Sequence, residues 1–191
     1  MNKNKYSFTI IIALTLFFIS SCSEKKTDSS EVASTMENVE APNVDLHTAV
    51  ISNNIDVIKQ HIKAGSDLNV KDPMGGSSPL ISAALFGKTE MAKRLIDAGA
   101  DLNIQNNDGS TALITAAFFC RTDIVKLLLE KGADKTIQNN FKSTAYMSVV
   151  GDFASVKPAY DMMGKMLGPK GLKVDLEYLE KTRPTIAELL K

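Results

Sequence analysis

Two cysteines and two histidines are the residues of this 191-residue chain with the most versatile chemistry: Cys22, Cys120, His47 and His61. A zinc site built from Cys and His alone would need all four gathered together, and no two of them stand at ligand spacing; C-x-x-C and H-E-x-x-H are both absent. No Ser or Cys sits in a nucleophile motif, and no Gly-rich loop is spaced to cradle a nucleotide phosphate. The expectation is therefore no catalytic residue, no metal and no cofactor. Cys120 is the one lone thiol that invites a redox reading, which requires it to be exposed and reactive. Beside Phe119 it reads equally as an apolar filler.

Composition narrows the classes further. Twenty-two Lys and Arg balance twenty-two Asp and Glu, giving a formal net charge of zero. A nucleic-acid protein needs a basic excess against phosphates, so that class is set aside. With 44% hydrophobic and 23% charged residues, the chain is ordinary globular material with a core to bury.

The elements that position these residues begin with an export signal. Lys3 and Lys5 precede Phe8 to Ile19, an apolar run interrupted by Thr9 and Thr15. Twelve helical residues span about 18 Å, short of a hydrocarbon core of about 30 Å, so the run reads as a secretory signal. Ile19-Ser20-Ser21-Cys22 resembles the bacterial lipoprotein box. The resemblance implies cleavage after Ser21 and lipidation of Cys22, with residues 1–21 removed. Ser23 after the Cys resembles lipoproteins sent to the outer membrane, which is favoured over the inner. Residues 22–43 carry two Lys, five acidic side chains and few large apolar groups, the composition of a flexible tether.

The remainder repeats. Ala64-Gly65-Ser66-Asp67-Leu68-Asn69 returns as Ala98-Gly99-Ala100-Asp101-Leu102-Asn103 and as Lys131-Gly132-Ala133-Asp134, with the glycines 34 and 33 residues apart. Leu46-His47-Thr48-Ala49, Leu80-Ile81-Ser82-Ala83, Leu113-Ile114-Thr115-Ala116 and Tyr146-Met147-Ser148-Val149 keep the same register. Two landmarks at one period identify a repeat architecture. Ser78-Pro79-Leu80-Ile81-Ser82-Ala83-Ala84 and Thr111-Ala112-Leu113-Ile114-Thr115-Ala116-Ala117 resemble the start of the ankyrin repeat, and Asp123 to Asp134 resembles its second helix and exit.

The residues explain such a stack physically. Ala83, Ala84, Ala116 and Ala117 let antiparallel helices approach, while Ile124, Val125, Leu128 and Leu129 form an apolar face at helical spacing. Gly65, Gly99 and Gly132 follow apolar helices, where a left-handed cap is needed. The expected fold is all-α: an ankyrin solenoid of about four helix-turn-helix repeats over 44–167 (44–71, 72–105, 106–138 and 139–167), with short hairpin loops. Residues 168–191 form a C-terminal helical cap, and Pro184 stands in the first turn of its helix.

The resemblance implies binding and no enzyme activity. It assigns His47 to structural bonds between repeats, and the match of His61 to Leu128 puts His61 in the core. The concave positions carried over from ankyrin stacks are Leu85, Phe86, Phe118 and Phe119, with hairpin positions Lys71, Gln105, Asn107, Gln138 and Asn140. The four apolar side chains form a partner patch with a polar rim, or else turn inward and pack. The favoured function is an exported, lipid-anchored monomer that binds a protein in the cell envelope. It touches the membrane by its anchor alone and does not bind nucleic acid. An immunity-type or inhibitory protein that neutralises a periplasmic toxin or enzyme is the first alternative, and a redox accessory acting through Cys120 the second.

Overall fold

The period seen in the sequence is a period of helix starts. Asp45, Ser78, Thr111 and Thr144, each 33 residues after the last, accept hydrogen bonds from the backbone N–H three residues on, at 2.9, 3.3, 3.3 and 3.2 Å. These side chains satisfy N–H groups that the helix itself leaves open. The computed structural model describes residues 40–191; the signal segment, Cys22 and most of the tether lie outside the described residues.

The capped helices are the first helices of four repeats: α1 (Leu46–Ile51), α3 (Pro79–Phe86), α5 (Ala112–Phe118) and the short α7 (Met147–Val150). Second helices follow in the first three repeats as α2 (Ile55–Lys63), α4 (Thr89–Asp97) and α6 (Thr122–Glu130). First helices stack on first helices and second on second. Ala83, Ala84, Ala116 and Ala117 are completely buried where α3 and α5 meet. No strand occurs among the described residues.

A left-handed residue turns the chain between helices. Asn53, Gly87 and Cys120 hold this equivalent position at φ of 58°, 65° and 51°. The glycines after the second helices, Gly65, Gly99 and Gly132, are left-handed as expected, at 67°, 89° and 84°.

Between repeats the chain makes a tight hairpin around an Asx side chain. Asp72 accepts from the N–H groups of Met74, Gly75 and Ser77, Asn106 from Asp108 and Ser110, and Asn139 from Phe141 and Ser143. The first hairpin reaches one residue further than the other two, which accounts for the single 34-residue step. Two of the tips require glycine twice over. At Gly76 (φ 66°) a Cβ would lie 2.2 Å from Asn107 Oδ1, and at Gly109 (φ 75°) it would lie 2.9 Å from the backbone nitrogen of Asn140. The next hairpin's Asn occupies the space in both cases. Lys142 (φ 60°) holds the third such position, beyond which no further hairpin follows.

The last repeat corrects the expected C-terminus. After α7 come α8 (Phe153–Leu167), a 3-10 turn (Gly168–Lys170) and α9 (Leu176–Leu190). It is α9, and not α8, that packs on α7 and α6 and so takes the second-helix place. The junction that occupies two or three residues in earlier repeats here runs from 151 to 175 and contains a helix of its own. The helix of the segment read as a terminal cap is therefore the second helix of the fourth repeat, which the sequence reading places within 139–167. Pro184 also sits in the interior of α9 and not in its first turn, because Asp175 starts the helix earlier by accepting from Tyr178 N–H at 3.0 Å. Pro184 and Glu180, whose carbonyl loses its usual donor, are both on the exposed side of the helix.

Gly109→Ala places a Cβ against backbone in a left-handed position. It should lower stability by about 2 kcal/mol and Tm by about 4–8 °C. Gly151→Ala, at φ −74° with open space around its Cβ, should leave Tm within about 2 °C. Thermal unfolding of the two variants checks this pair.

Candidate interaction surface

The hairpins are laced into one edge. Lys71 Nζ donates to the Gln105 carbonyl at 2.7 Å, and Gln105 Nε2 donates to the Gln138 carbonyl at 3.1 Å. Asn107 donates its backbone N–H to Gly75 and its side chain to Met74, and Asn140 does the same toward Asp108 and Asn107. Lys71, Gln105, Asn107, Gln138 and Asn140 are all exposed, yet bonds between repeats fix their positions. Such an edge presents side chains whose ordering cost is already met by the fold, which favours binding.

Two residues on this edge escaped the reading of the sequence. Met74 is 76% exposed and Phe141 is 75% exposed, both at hairpin tips. A signal was available: each is apolar at the turn position where the middle hairpin carries Asp108.

Of the four expected concave residues, the structure buries one and leaves three half-buried. Phe119 is only 2% exposed and belongs to the core. Phe118 is half-buried beneath α8, where Tyr160 stacks on it at 4.4 Å between centroids and meets the Phe119 ring edge-on at 6.0 Å. Tyr160 is completely buried, donates from its hydroxyl to the Phe118 carbonyl at 2.5 Å, and accepts from the buried Arg183 at 3.2 Å. Burial pushes its phenol up to about 12, so it stays a neutral donor. Arg183 also donates to the Gly151 carbonyl at 3.1 Å and lies 5.9 Å from the centre of the Phe153 ring. The inserted helix thus fills the place a partner was expected to take. Leu85 and Phe86 stay half-buried. Nothing in the sequence around Tyr160 announces this role, because the contact depends on where the insertion folds back.

His47 joins repeats one and two: its Nε2 donates to the Val70 carbonyl at 3.1 Å, and its Nδ1 accepts from the Ser82 hydroxyl at 3.2 Å. His61 is 7% exposed and pins the N-terminal approach by donating to the Val44 carbonyl at 2.8 Å. Both are structural. Cys120 has no exposed surface, donates weakly to the Leu179 carbonyl at 3.6 Å, and has its thiol pushed up to about 11 by burial. Such a thiol is poorly ionised and unreachable, the opposite of what redox work requires. Among the described residues no three His, Cys, Asp or Glu are grouped to hold a metal ion, and no helix is long and apolar enough to cross a membrane.

These features define an ankyrin solenoid, an architecture built to bind other proteins on its extended surface. Residues 46–139 match the family model for ankyrin repeats in 3 copies. The chain is similar to the solved ankyrin repeat domain of Bcl-3, described as a unique member of the IkappaB protein family. The two are 31% identical with a TM-score of 0.53, and the match covers 54% of this chain and 45% of that one. No curated protein matches the chain. The fourth repeat, from α7 to α9, lies beyond the matched segment.

Cys120 in the folded protein should resist thiol reagents at pH 8. Burial raises its pKa, so thiolate is scarce there, and labelling should proceed only at the rate of unfolding. Prompt labelling under native conditions would restore the redox reading.

Proposed function

We propose that this chain is an exported, lipid-anchored ankyrin-repeat protein that binds a protein partner in the bacterial cell envelope and has no catalysis of its own. One observation carries the binding surface: Met74 and Phe141 stand three-quarters exposed on an edge otherwise polar and internally hydrogen-bonded. Apolar contacts framed by a polar rim are the composition of an interface core and its border. Lys71, Gln105, Asn107, Gln138 and Asn140 supply that rim. The inserted helix covers Phe118, while Met74 and Phe141 on the hairpin edge stay exposed.

Export and anchoring rest on the short apolar run from Phe8 to Ile19 and on the box ending at Cys22. One acyl chain anchors only marginally, while two or more hold a protein stably, so a lipidated Cys22 would keep the solenoid at the bilayer. The outer membrane is the proposed destination, from Ser23 following the Cys. The partner's identity distinguishes a scaffold from an antagonist.

Met74→Ser with Phe141→Ser should leave Tm nearly unchanged, because both side chains are in solvent, and should abolish crosslinked capture of an envelope protein that the native form retains. Equal capture by both forms would remove the tips from the interface. Cys22→Ala should release the protein from the membrane fraction or leave it uncleaved; unchanged anchoring would contradict the lipid attachment.

A further inference from the structure

The far ends of the first helices, away from the hairpins, hold a cavity that the interaction edge does not use. It measures about 420 Å³ and lies where the turns into α4 and α6 meet the inserted segment between the 3-10 turn and α9. That volume is in the range of small-molecule sites. Lys88, Arg121 and Lys173 line it, against the single carboxylate of Asp123, a local excess of three minus one positive charges. None of the three cations is ion-paired with a described residue.

Arg121 is the informative member. Its guanidinium passes over Gly87, within 3.1 Å of where a Cβ would stand. One terminal nitrogen donates at 3.3 and 3.4 Å to the carbonyls of Leu85 and Lys173. Its Nε is shut off from water and has no hydrogen-bond partner at all. Desolvation lowers the pKa of this guanidinium, and Tyr178 and Cys120 offset it only in part. A cation held in this way gains from an anion at the cavity mouth.

The same cavity changes how helices begin. Asn54 caps α2, but the equivalent positions before α4 and α6 are Lys88 and Arg121, and neither helix has a side-chain cap. Two nine-residue helices therefore open their first turns beside the three cations, with Thr89 and Thr122 also on the wall. This many donors exceeds what a carboxylate's two oxygens use and suits a phosphoryl group with three. The half-buried Phe86 and the exposed Tyr178 add aromatic rings to the lining, beside Cys120 and Gly171.

We propose that this cavity binds a small organic phosphomonoester, its phosphoryl oxygens among Lys88, Arg121, Lys173 and the open turns of α4 and α6, and its organic body against Phe86 and Tyr178. The site is independent of the hairpin edge and of the partner reading.

Phenyl phosphate is a suitable probe, titrated into the full chain while the backbone amides of Glu90, Met91, Asp123 and Ile124 are followed by NMR. The expected result is saturable shifts at these four amides with a Kd of about 1 mM or below. Orthophosphate should bind about tenfold more weakly, and phenol should not shift them. Lys88→Gln with Lys173→Gln should weaken phenyl phosphate at least about tenfold, and Asp123→Asn should tighten it. The two variants act in opposite directions, so a general loss of fold cannot imitate the pair. Absence of saturable shifts, or indifference to both variants, overturns the site. Equal binding of orthophosphate and phenyl phosphate overturns the assignment of an organic body.

Discussion

A single helix pair of this chain cannot bury its own apolar surface, and every other feature follows from that constraint. Leu95, Leu113, Ile124 and Leu128 have no exposed area or almost none only because a neighbouring repeat lies against them. Stacking demands that each unit present the same surface at the same height, hence the capped start every 33 residues and the left-handed turn at Asn53, Gly87 and Cys120. The hairpins obey the same rule. Asn107 fits over Gly76 and Asn140 over Gly109, so the sequence of one tip is set by its successor. Function inherits this rigidity, since an edge ordered by the fold can meet a partner without further loss of freedom.

The inserted segment between α7 and α9 redirects that function. In a plain stack the ends of α3 and α5 would be open, and Phe118 would face solvent. Here Tyr160 closes over Phe118, bonded to its carbonyl and held from behind by Arg183, a buried cation satisfied by a hydroxyl, a carbonyl and an aromatic face. The insertion also walls off the turns before α4 and α6. Covering the floor and creating a cavity are thus two results of one piece of chain, while the hairpin tips lie away from it.

The repeats, their register, the caps, the buried alanines and the structural parts played by His47 and His61 were legible in the sequence, because each depends on local chemistry recurring at a fixed interval. What a linear reading misassigned was partnership: α8 and α9 both have amphipathic patterns, and only packing shows which completes the repeat. Pro184 misled for a related reason, since a proline suits a first turn better than an interior and the earlier cap at Asp175 went unrecognised. For Phe118 and Phe119 the sequence left partner contact and inward packing both open, because the cover that decides between them comes from 42 residues away along the chain. The tips at Met74 and Phe141 were readable in principle, as apolar residues where turn chemistry favours polar ones.

Native-state hydrogen exchange on α8 and α9 tests the central claim most directly, that the stack runs through α9 with α8 inserted. Amides in the middle of α9 should exchange only through global unfolding, in step with those of α5 and α6. Those of α8, where Tyr160 is the one buried residue, should open at lower free energy. Slower exchange in α8 than in α9 would contradict the account and return α8 to the role of second helix.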